Sequence, residues 1–166
     1  FPARFQLIAA MNPCPCGYLG HPSNKCHCNS DAVLRYQDRI SGPLLDRIDI
    51  QIEVPAMVPS TLSAQIDGEP SAVIAGRVAR AFDLQLARQG KANEGLSTRE
   101  VDVHCALDDV GEEILRNAML RLHWSARAYH RVLKVARTIA DLAGERRVSA
   151  GHIAEAIQFR RGLREL

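Results

Sequence analysis

The sequence predicts a mainly α-helical protein with a small α/β part at its N-terminal end. Two short apolar segments with strand patterns lie within residues 1–56, whereas helix-start and helix-stop signals follow one another from Ser71 to the C-terminus. Between them, residues 57–70 are rich in proline and serine and follow no period, which is typical of a linker. We therefore expect an α/β part over 1–56, a linker over 57–70 and a helical domain over 71–166.

Two different patterns predict the two strands. Residues 5–11 form a nearly unbroken apolar run, as in a strand of a parallel sheet that is covered on both faces. Residues 48–54 alternate isoleucine or valine with polar side chains, which is the period of a strand with one buried face. Two strands are too few for a stable sheet. We therefore expect a remnant of a larger α/β layer that is less well ordered than the helical domain.

Helix signals begin before the linker and continue after it. Ser30 can cap a short helix over residues 31–40, and Pro43 can open a second, very short one. After the linker, polar residues that can cap helices stand at Ser71, Ser97, Asp108, Ser125 and Ser149. Gly90 and Gly144 mark the ends of two of these helices, of which the later one has the clearest apolar face.

Composition excludes several classes of protein. A chain of 166 residues holds one ordinary domain or two small ones, which excludes a large multidomain enzyme within it. Its 46% apolar and 24% charged residues are typical of a globular protein, and no apolar run approaches the roughly 18 residues of a membrane span. Residues 1–11 lack the pattern of a signal peptide and do not start with Met, so we expect a piece of a longer cytoplasmic protein.

The charge distribution leaves two interpretations open. The net charge of +2 is too small to predict nucleic-acid binding, because electrostatic binding requires clustered lysine and arginine side chains. The helical domain is locally basic from Arg127 onward. Such a stretch is usually a solvated helical face, but it also fits a contact with nucleic acid.

Four of the five cysteines lie in one short segment, as two Cys-x-Cys pairs separated by nine residues. The pairs are Cys14 with Cys16 and Cys26 with Cys28. Four thiolates brought together by a loop satisfy the tetrahedral coordination of structural zinc, with every position filled by protein. The spacing therefore predicts a structural zinc site over residues 14–28, and not a catalytic site, which would keep one position open for water.

Other uses of the cysteines stay open. Cys-x-Cys is a less common zinc spacing than Cys-x-x-Cys, and His21 or His27 can replace one of the thiolates. Disulfides are the other alternative, but a protein without an export signal is expected in a reducing compartment. The fifth cysteine, Cys105, is predicted to be a plain buried residue.

Four segments carry a resemblance to a known family, and they are residues 1–17, 41–49, 125–127 and 135–142. Within them, Asn-Pro-Cys-Pro-Cys-Gly is highly specific, whereas Leu-Leu-Asp-Arg-Ile-Asp is shared more widely with magnesium chelatases and replicative helicases. Over essentially its whole length the chain resembles the ComM/YifB type of magnesium-chelatase-like AAA+ ATPases. The resemblance implies the C-terminal part of an AAA+ module, from the last core strands to the helical lid.

The same resemblance implies a function for the longer protein. It implies an ATP-driven, hexameric ring of identical subunits that remodels branched DNA during recombination and natural transformation. ATP and Mg²⁺ are the ligands that it implies for the longer protein, and neighbouring subunits and DNA are the implied partners. The resemblance implies no contact with a membrane.

The resemblance assigns roles to three residues. Asn12 matches sensor 1, the polar residue at the end of a core strand that positions the attacking water. Arg47 matches the arginine finger, which acts in the ATP site of the neighbouring subunit. Arg127 matches sensor 2, the lid arginine that reports on the terminal phosphate of the nucleotide.

Each of the three residues also has an ordinary structural interpretation. Asn12 can form a local Asx turn before the proline that follows it. Arg47 can pair on the surface with Asp46 or Asp49. Arg127 can be a solvated arginine, although the first turn of a helix disfavours a cation unless an anion lies nearby.

Two motifs of an ATP site are missing from this sequence. It contains neither the G-x-x-x-x-G-K-[ST] phosphate loop nor an acidic pair after an apolar strand to hold Mg²⁺. We therefore expect no ATP hydrolysis by these residues alone.

Two further functions stay open. One is a self-contained, zinc-bearing module that binds nucleic acid or acts as an adaptor. The other is an ATPase subunit for magnesium insertion into a tetrapyrrole, which the cysteine loop disfavours.

Overall fold

The computed structural model describes residues 5–56 and 68–160, and its regular structure is helical. The helices are α1 (Ser30–Gln37), α2 (Gly42–Leu45), α3 (Ser71–Gln89), α4 (Thr98–His104), α5 (Asp109–Arg121), α6 (Ala126–Leu142) and α7 (Ala150–Gln158), with a short 3₁₀ turn at Asn93–Gly95. The helix content of 55% confirms the mainly α-helical class. None of the described helices is both long and apolar enough to cross a membrane. The predicted linker lies for the most part outside the described residues.

The two predicted strands are absent from the described residues. Residues 5–11 and 48–54 are irregular, and no ladder of backbone hydrogen bonds joins them. A strand requires a neighbouring strand for its N–H and C=O groups, and neither segment has one in the described part of the chain. Their apolar side chains are consequently exposed, with Phe5 at 79%, Ile8 at 86% and Val54 at 80% of full exposure. The prediction of two strands was therefore wrong.

The two short helices start close to the predicted positions. Asn29, and not Ser30, caps α1, because its side-chain oxygen accepts a hydrogen bond from the Ala32 N–H at 2.8 Å. The helix also ends at Gln37, three residues earlier than predicted. Pro43 lies in the first turn of α2, where its fixed φ fits and its missing N–H has no cost.

The cap signals after the linker are confirmed with one correction. Ser71 is the first residue of α3 and not its cap, because Pro70 occupies the cap position. Gly90 ends α3 in the left-handed conformation, with φ at 71°. Ser97 forms a capping box with Glu100 at the start of α4. The caps of α5, α6 and α7 are Asp108, Ser125 and Ser149.

The hydrophobic core lies in the helical domain, around α6. This helix packs against α3, α4 and α7, and α5 packs against α7. The predicted apolar face of α6 is confirmed, because Val132, Leu133, Ala136 and Ala140 are buried there. Cys105 is also buried in this core, as predicted, and its burial raises the pKa of the thiol to about 11.

A buried polar network joins the C-terminal end of α3 to α6. Arg137 is buried and donates to the carbonyls of Glu145 and Arg146 at 2.6 and 2.9 Å. Asp141 accepts hydrogen bonds from Arg88 at 2.5 and 3.0 Å. Burial acts to raise the pKa of Asp141, but these hydrogen bonds hold it below its usual value. Arg137 and Asp141 lie within segment 135–142, which carries the resemblance to the family. They therefore have a structural role, because they join the ends of the helices.

Candidate functional site

The four clustered cysteines meet at one point. The Sγ atom of Cys14 lies 3.4 Å from that of Cys16 and 3.8 Å from that of Cys26, and the latter two are 3.6 Å apart. With Cys28, all four sulfur atoms lie within 4.8 Å of one another. All four are free thiols, so the structure does not join them as disulfides. This cluster has the donor atoms and the separation that a metal ion requires.

Local turns and α1 build the cysteine cluster. The N–H of Gly17 donates to the Cys14 carbonyl at 3.0 Å, and Gly17 adopts the positive φ of 79° that closes this turn. The second pair of cysteines leads directly into the cap of α1. The side chain of Gln37, at the far end of α1, donates to the Pro13 carbonyl at 3.2 Å. Both ends of the cysteine loop therefore rest on α1.

The loop favours a thiolate at one position and opposes it at another. The backbone N–H of Tyr18 is the main cause that lowers the pKa of Cys16 to about 6, against a smaller effect of burial. Cys28 receives a backbone hydrogen bond from Cys16 that favours its thiolate. The neighbouring thiols Cys16 and Cys14 and burial outweigh it and raise the pKa of Cys28 to about 11. Four close thiolates repel one another, so a cation is needed for all four to be ionised together.

The residues present fit zinc. A tetrahedral zinc ion with Zn–S bonds of about 2.3 Å places its sulfur ligands about 3.8 Å apart. The three sulfur distances of 3.4, 3.6 and 3.8 Å are close to that value. No histidine nitrogen belongs to the cluster in the described residues. The Nδ1 atom of His21 instead accepts a hydrogen bond from the Ser23 N–H at 3.0 Å. The same atom is also hydrogen-bonded to the Ser23 hydroxyl at 2.6 Å.

Asn12 lies beside the cysteine loop and not at the end of a strand. Its side chain is exposed and covers Gly17, where an added Cβ would meet the Asn12 amide at 3.6 Å. The predicted placement at a sheet edge required a strand over residues 5–11, and that strand is not formed in this part of the chain. The structure thus connects Asn12 with the cysteine cluster.

Arg47 is exposed just after α2, and the acids beside it have other partners. Asp46 accepts a hydrogen bond from the Ser125 hydroxyl at 3.4 Å and pairs with Arg160 at 3.6 Å. Asp49 forms an ion pair with Arg131. The guanidinium of Arg47 makes no ion pair with either acid in the described ranges, so the surface-pair interpretation does not describe this structure.

Arg127 is the second residue of α6 and is exposed. The helix begins one residue earlier, after the Ser125 cap, whose hydroxyl also accepts a hydrogen bond from the Ala128 N–H at 3.3 Å. Because Ser125 contacts Asp46, the structure brings the segment of Arg47 to the first turn of the helix that carries Arg127. The described contact thus connects the segments that carry these two residues, whereas Asn12 lies with the cysteine loop.

Sequence reasoning missed a set of contacts that we call the clamp, formed by Asp46, Asp49, Ser125, Arg131 and Arg160. Arg160 is only 8% exposed, and besides Asp46 it donates to the Ile48 carbonyl at 3.1 Å. Its partners lie about a hundred residues away along the chain, so no local spacing could reveal them. The acids Asp46 and Asp49 belong to the family-like segment 41–49, and that membership is the one signal that the sequence offers.

Contacts within the protein engage several cations of the basic stretch. Arg131, Arg137 and Arg160 all contact acids or carbonyls within the protein. Lys134 donates to the Glu94 carbonyl at 2.9 Å, and burial lowers its pKa. Much of this stretch is therefore neither a plain solvated face nor a free surface for nucleic acid, because its cations stabilise the fold.

Comparison with known proteins shows the family of the chain. The family described as magnesium chelatase, subunit ChlI, matches residues 1–62, and its C-terminal counterpart, described as magnesium chelatase, subunit ChlI C-terminal, matches residues 68–160. The chain belongs to this magnesium chelatase subunit ChlI family.

Several relatives are similar over almost the whole chain. It is 44% identical over 167 residues to the competence protein ComM of Haemophilus influenzae, which covers 100% of the chain and 32% of that protein. It is 43% identical to the protein YifB of Salmonella typhimurium and 34% identical to the protein Mb2921c of Mycobacterium bovis, in each case over 96% of the chain and 31% or 32% of the relative. The resemblance to the ComM/YifB type is thus confirmed, and the chain spans about a third of the length of these relatives.

Proposed function

We propose that the chain is the lid-bearing C-terminal part of a cytoplasmic, ATP-driven ring motor that acts on branched DNA in recombination or natural transformation. The contact between the segment of Arg47 and the first turn of α6, where Arg127 lies, carries this proposal. It is supported by the family of the chain and by its similarity to a competence protein. In the proposal the ring consists of six identical subunits, and residues 57–70 link the α/β part to the lid.

In this ring, Arg47 reaches the ATP bound by the neighbouring subunit and neutralises the charge that develops during phosphoryl transfer. Such an arginine raises the rate of phosphoryl transfer by about 10³–10⁵-fold in related chemistry. The exposure of Arg47 supports this role, because a guanidinium held in a local ion pair is not free to enter another site.

Arg127 and Asn12 have complementary roles in the proposal. Arg127 contacts the terminal phosphate, and its place in the first turn of α6 supports this, because N–H groups at a helix start favour an anion. Asn12 orients the attacking water through its amide. ATP and Mg²⁺ are held mainly by parts of the longer protein beyond these residues, where we expect the phosphate loop.

We also propose that Cys14, Cys16, Cys26 and Cys28 hold one structural zinc ion. The close approach of the four sulfur atoms and the backbone N–H groups directed at Cys16 support this. Zinc bound by four thiolates has no open position, so it stabilises the loop and takes no part in ATP chemistry. A zinc ion held by these four cysteines would tie the two ends of the loop over residues 14–28 together.

A magnesium-chelatase type of ATPase is the second candidate, because the matching families carry that description. Such a protein couples ATP hydrolysis to magnesium insertion into a tetrapyrrole, and the roles of Arg47 and Arg127 would be the same. A self-contained module is less well supported, because it leaves the apolar side chains of residues 5–8 and 50–54 without a partner.

The deciding experiment measures ATP hydrolysis by the full-length protein with and without branched DNA. We expect DNA to stimulate hydrolysis and Arg47→Ala to lower the stimulated rate by about a thousandfold or more. The control is Arg39→Ala, which removes another exposed arginine near the end of α1 and should leave the rate unchanged.

Three outcomes separate the candidates. Stimulation that depends on Arg47 supports the DNA motor. ATP hydrolysis that DNA does not stimulate but that depends on Arg47 favours the chelatase-like function. An Arg47→Ala protein as active as the native one removes the arginine finger from both.

A further inference from the structure

The clamp fixes the position of the backbone on both sides of Arg47. Asp46 precedes this arginine and is bound by Ser125 and Arg160, and Asp49 follows it by two residues and is bound by Arg131. The helical domain therefore binds the chain before and after Arg47 while the guanidinium itself stays exposed.

The Arg160 side chain is buried and held by several contacts. A buried guanidinium requires several acceptors, because an unpaired charge away from water is costly. The Ile48 carbonyl at 3.1 Å and the Asp46 carboxylate at 3.6 Å supply them, and the Trp124 ring lies 5.8 Å from the guanidinium carbon. Burial acts to lower the pKa of Arg160, but a guanidinium remains charged at any physiological pH. The support therefore does not depend on protonation.

A backbone hydrogen bond strengthens the same connection. The N–H of Gln51 donates to the Phe159 carbonyl at 2.7 Å, immediately after α7. The Gln51 side chain turns back and donates to the Leu45 carbonyl at 3.4 Å. The segment from α2 to Gln51 is thus attached directly to the end of α7, without the use of the linker.

Arg131 connects the segment to the helix of Arg127. Residues four apart in a helix lie on the same face, so Arg131 and Arg127 are neighbours on α6. Arg131 forms an ion pair with Asp49, whereas Arg127 is exposed. The pair between Arg131 and Asp49 therefore attaches the segment of Arg47 to the face of α6 that carries Arg127.

We propose that Arg131 and Arg160 are positioning residues for Arg47, and that the clamp makes Arg47 and the start of α6 move as one unit. This inference rests on the proposed role of Arg47 in the site of a neighbouring subunit. It adds that Arg47 reaches that site only while the lid of its own subunit holds its backbone. Loss of the clamp then slows phosphoryl transfer and leaves ATP binding by the phosphate loop intact.

A double-mutant cycle on the full-length protein tests this. Arg131→Gln, Arg47→Ala and the double variant are compared with the native protein for kcat and KM of ATP hydrolysis. We expect Arg131→Gln to lower kcat at least tenfold and to change KM less than twofold. In the Arg47→Ala background the same substitution should have no further effect, because a residue that acts through Arg47 cannot matter once Arg47 is gone.

Two further variants separate positioning from simple stabilisation. Asp49→Arg places two arginines together and should lower kcat at least as much as Arg131→Gln. Combining it with Arg131→Asp restores the ion pair in reverse and should recover most of kcat. The matched control is Arg77→Gln. It breaks an exposed ion pair near the start of α3, in which Arg77 and Glu69 are 2.8 Å apart. It should leave kcat and KM unchanged.

The possible failures are distinguishable. If Arg47→Ala leaves kcat unchanged, the proposed role of Arg47 as an arginine finger is wrong. If Arg47→Ala lowers kcat but Arg131→Gln does not, the positioning role is wrong. Additive effects in the double variant, or no recovery in the charge-reversed pair, also overturn it. Thermal unfolding of each variant is measured alongside, and a fall of kcat that merely follows unfolding counts against the proposal.

Discussion

The close approach of four sulfur atoms is the main chemical feature of the cysteine loop. Thiolates whose sulfurs lie 3.4–3.8 Å apart repel one another strongly away from bulk water. The thiol groups also differ, because the backbone N–H of Tyr18 lowers the pKa of Cys16 to about 6. At Cys28 a backbone hydrogen bond from Cys16 is outweighed by the neighbouring thiols and by burial, which raise the pKa to about 11. A bound zinc ion would remove this difference, because a thiol that coordinates zinc is deprotonated and releases its proton to water.

Replacing ligand cysteines should therefore abolish zinc binding. We expect the native protein to contain about one zinc ion per chain. The double variant Cys26→Ser and Cys28→Ser should contain almost none, because two of four ligands are lost. Metal analysis of the purified proteins measures this.

Two controls sharpen the metal experiment. Cys105→Ala removes a buried cysteine outside the cluster and should keep the ion. His21→Ala should also keep it, because the His21 ring is engaged with Ser23. Loss of zinc in the His21 variant would make this residue a ligand, and retention of zinc in the double cysteine variant would remove the proposed site.

The sequence could reveal only those site residues whose partners are close to them along the chain. The four cysteines lie within 15 positions, so their clustering is plain from the order of residues alone. The pair of Arg131 with Asp49 spans 82 positions, and that of Arg160 with Ile48 spans 112. Contacts at such separations leave no period or spacing in a sequence. The clamp is therefore visible only in the folded chain, although the resemblance selects Arg47 in its middle.

At the level of elements, burial on one face decides what each helix contributes to stability. In α5, Leu115 is fully buried and Leu120 is 69% exposed, so the same side chain occurs in two environments of one helix. Leu115→Ala should lower the free energy of unfolding by about 2–5 kcal/mol, because it removes buried methyl groups and leaves a cavity.

The matched substitution in the same helix is Leu120→Ala, which should change the free energy of unfolding by less than about 0.5 kcal/mol. Urea denaturation monitored by circular dichroism measures both variants. Similar losses at the two positions would mean that the described packing of α5 is incorrect.

Helices were predictable and strands were not, for one physical reason. A cap such as Asp108 acts on the N–H of Gly111, three residues away, so the sequence contains both partners. A strand over residues 5–11 needs a neighbouring strand, and its hydrogen-bond partners can lie anywhere in a longer chain. The apolar pattern of residues 5–11 was real, but a pattern alone does not supply the ladder.

For the whole molecule, the distribution of apolar surface separates two parts. The helical domain has a closed core around α6, whereas residues 5–11 and 48–54 expose most of their large apolar side chains. Contiguous exposed apolar surface usually marks an interface. The relatives are about three times as long as this chain, which leaves room for the rest of a sheet. We therefore expect the longer protein to cover both segments.

Hydrogen exchange can test this expectation directly. In the isolated chain, the amides of residues 5–11 should exchange at nearly the rate of an unfolded peptide, because no ladder protects them. In the full-length protein they should exchange about a thousandfold more slowly or slower still, since ladder hydrogen bonds then open only with the sheet. The internal control is α6, whose amides should be protected in both proteins because it crosses the core. Equal exchange of residues 5–11 in the two proteins would show that the longer chain adds no strand beside them, and our expectation that it covers this segment would then be wrong.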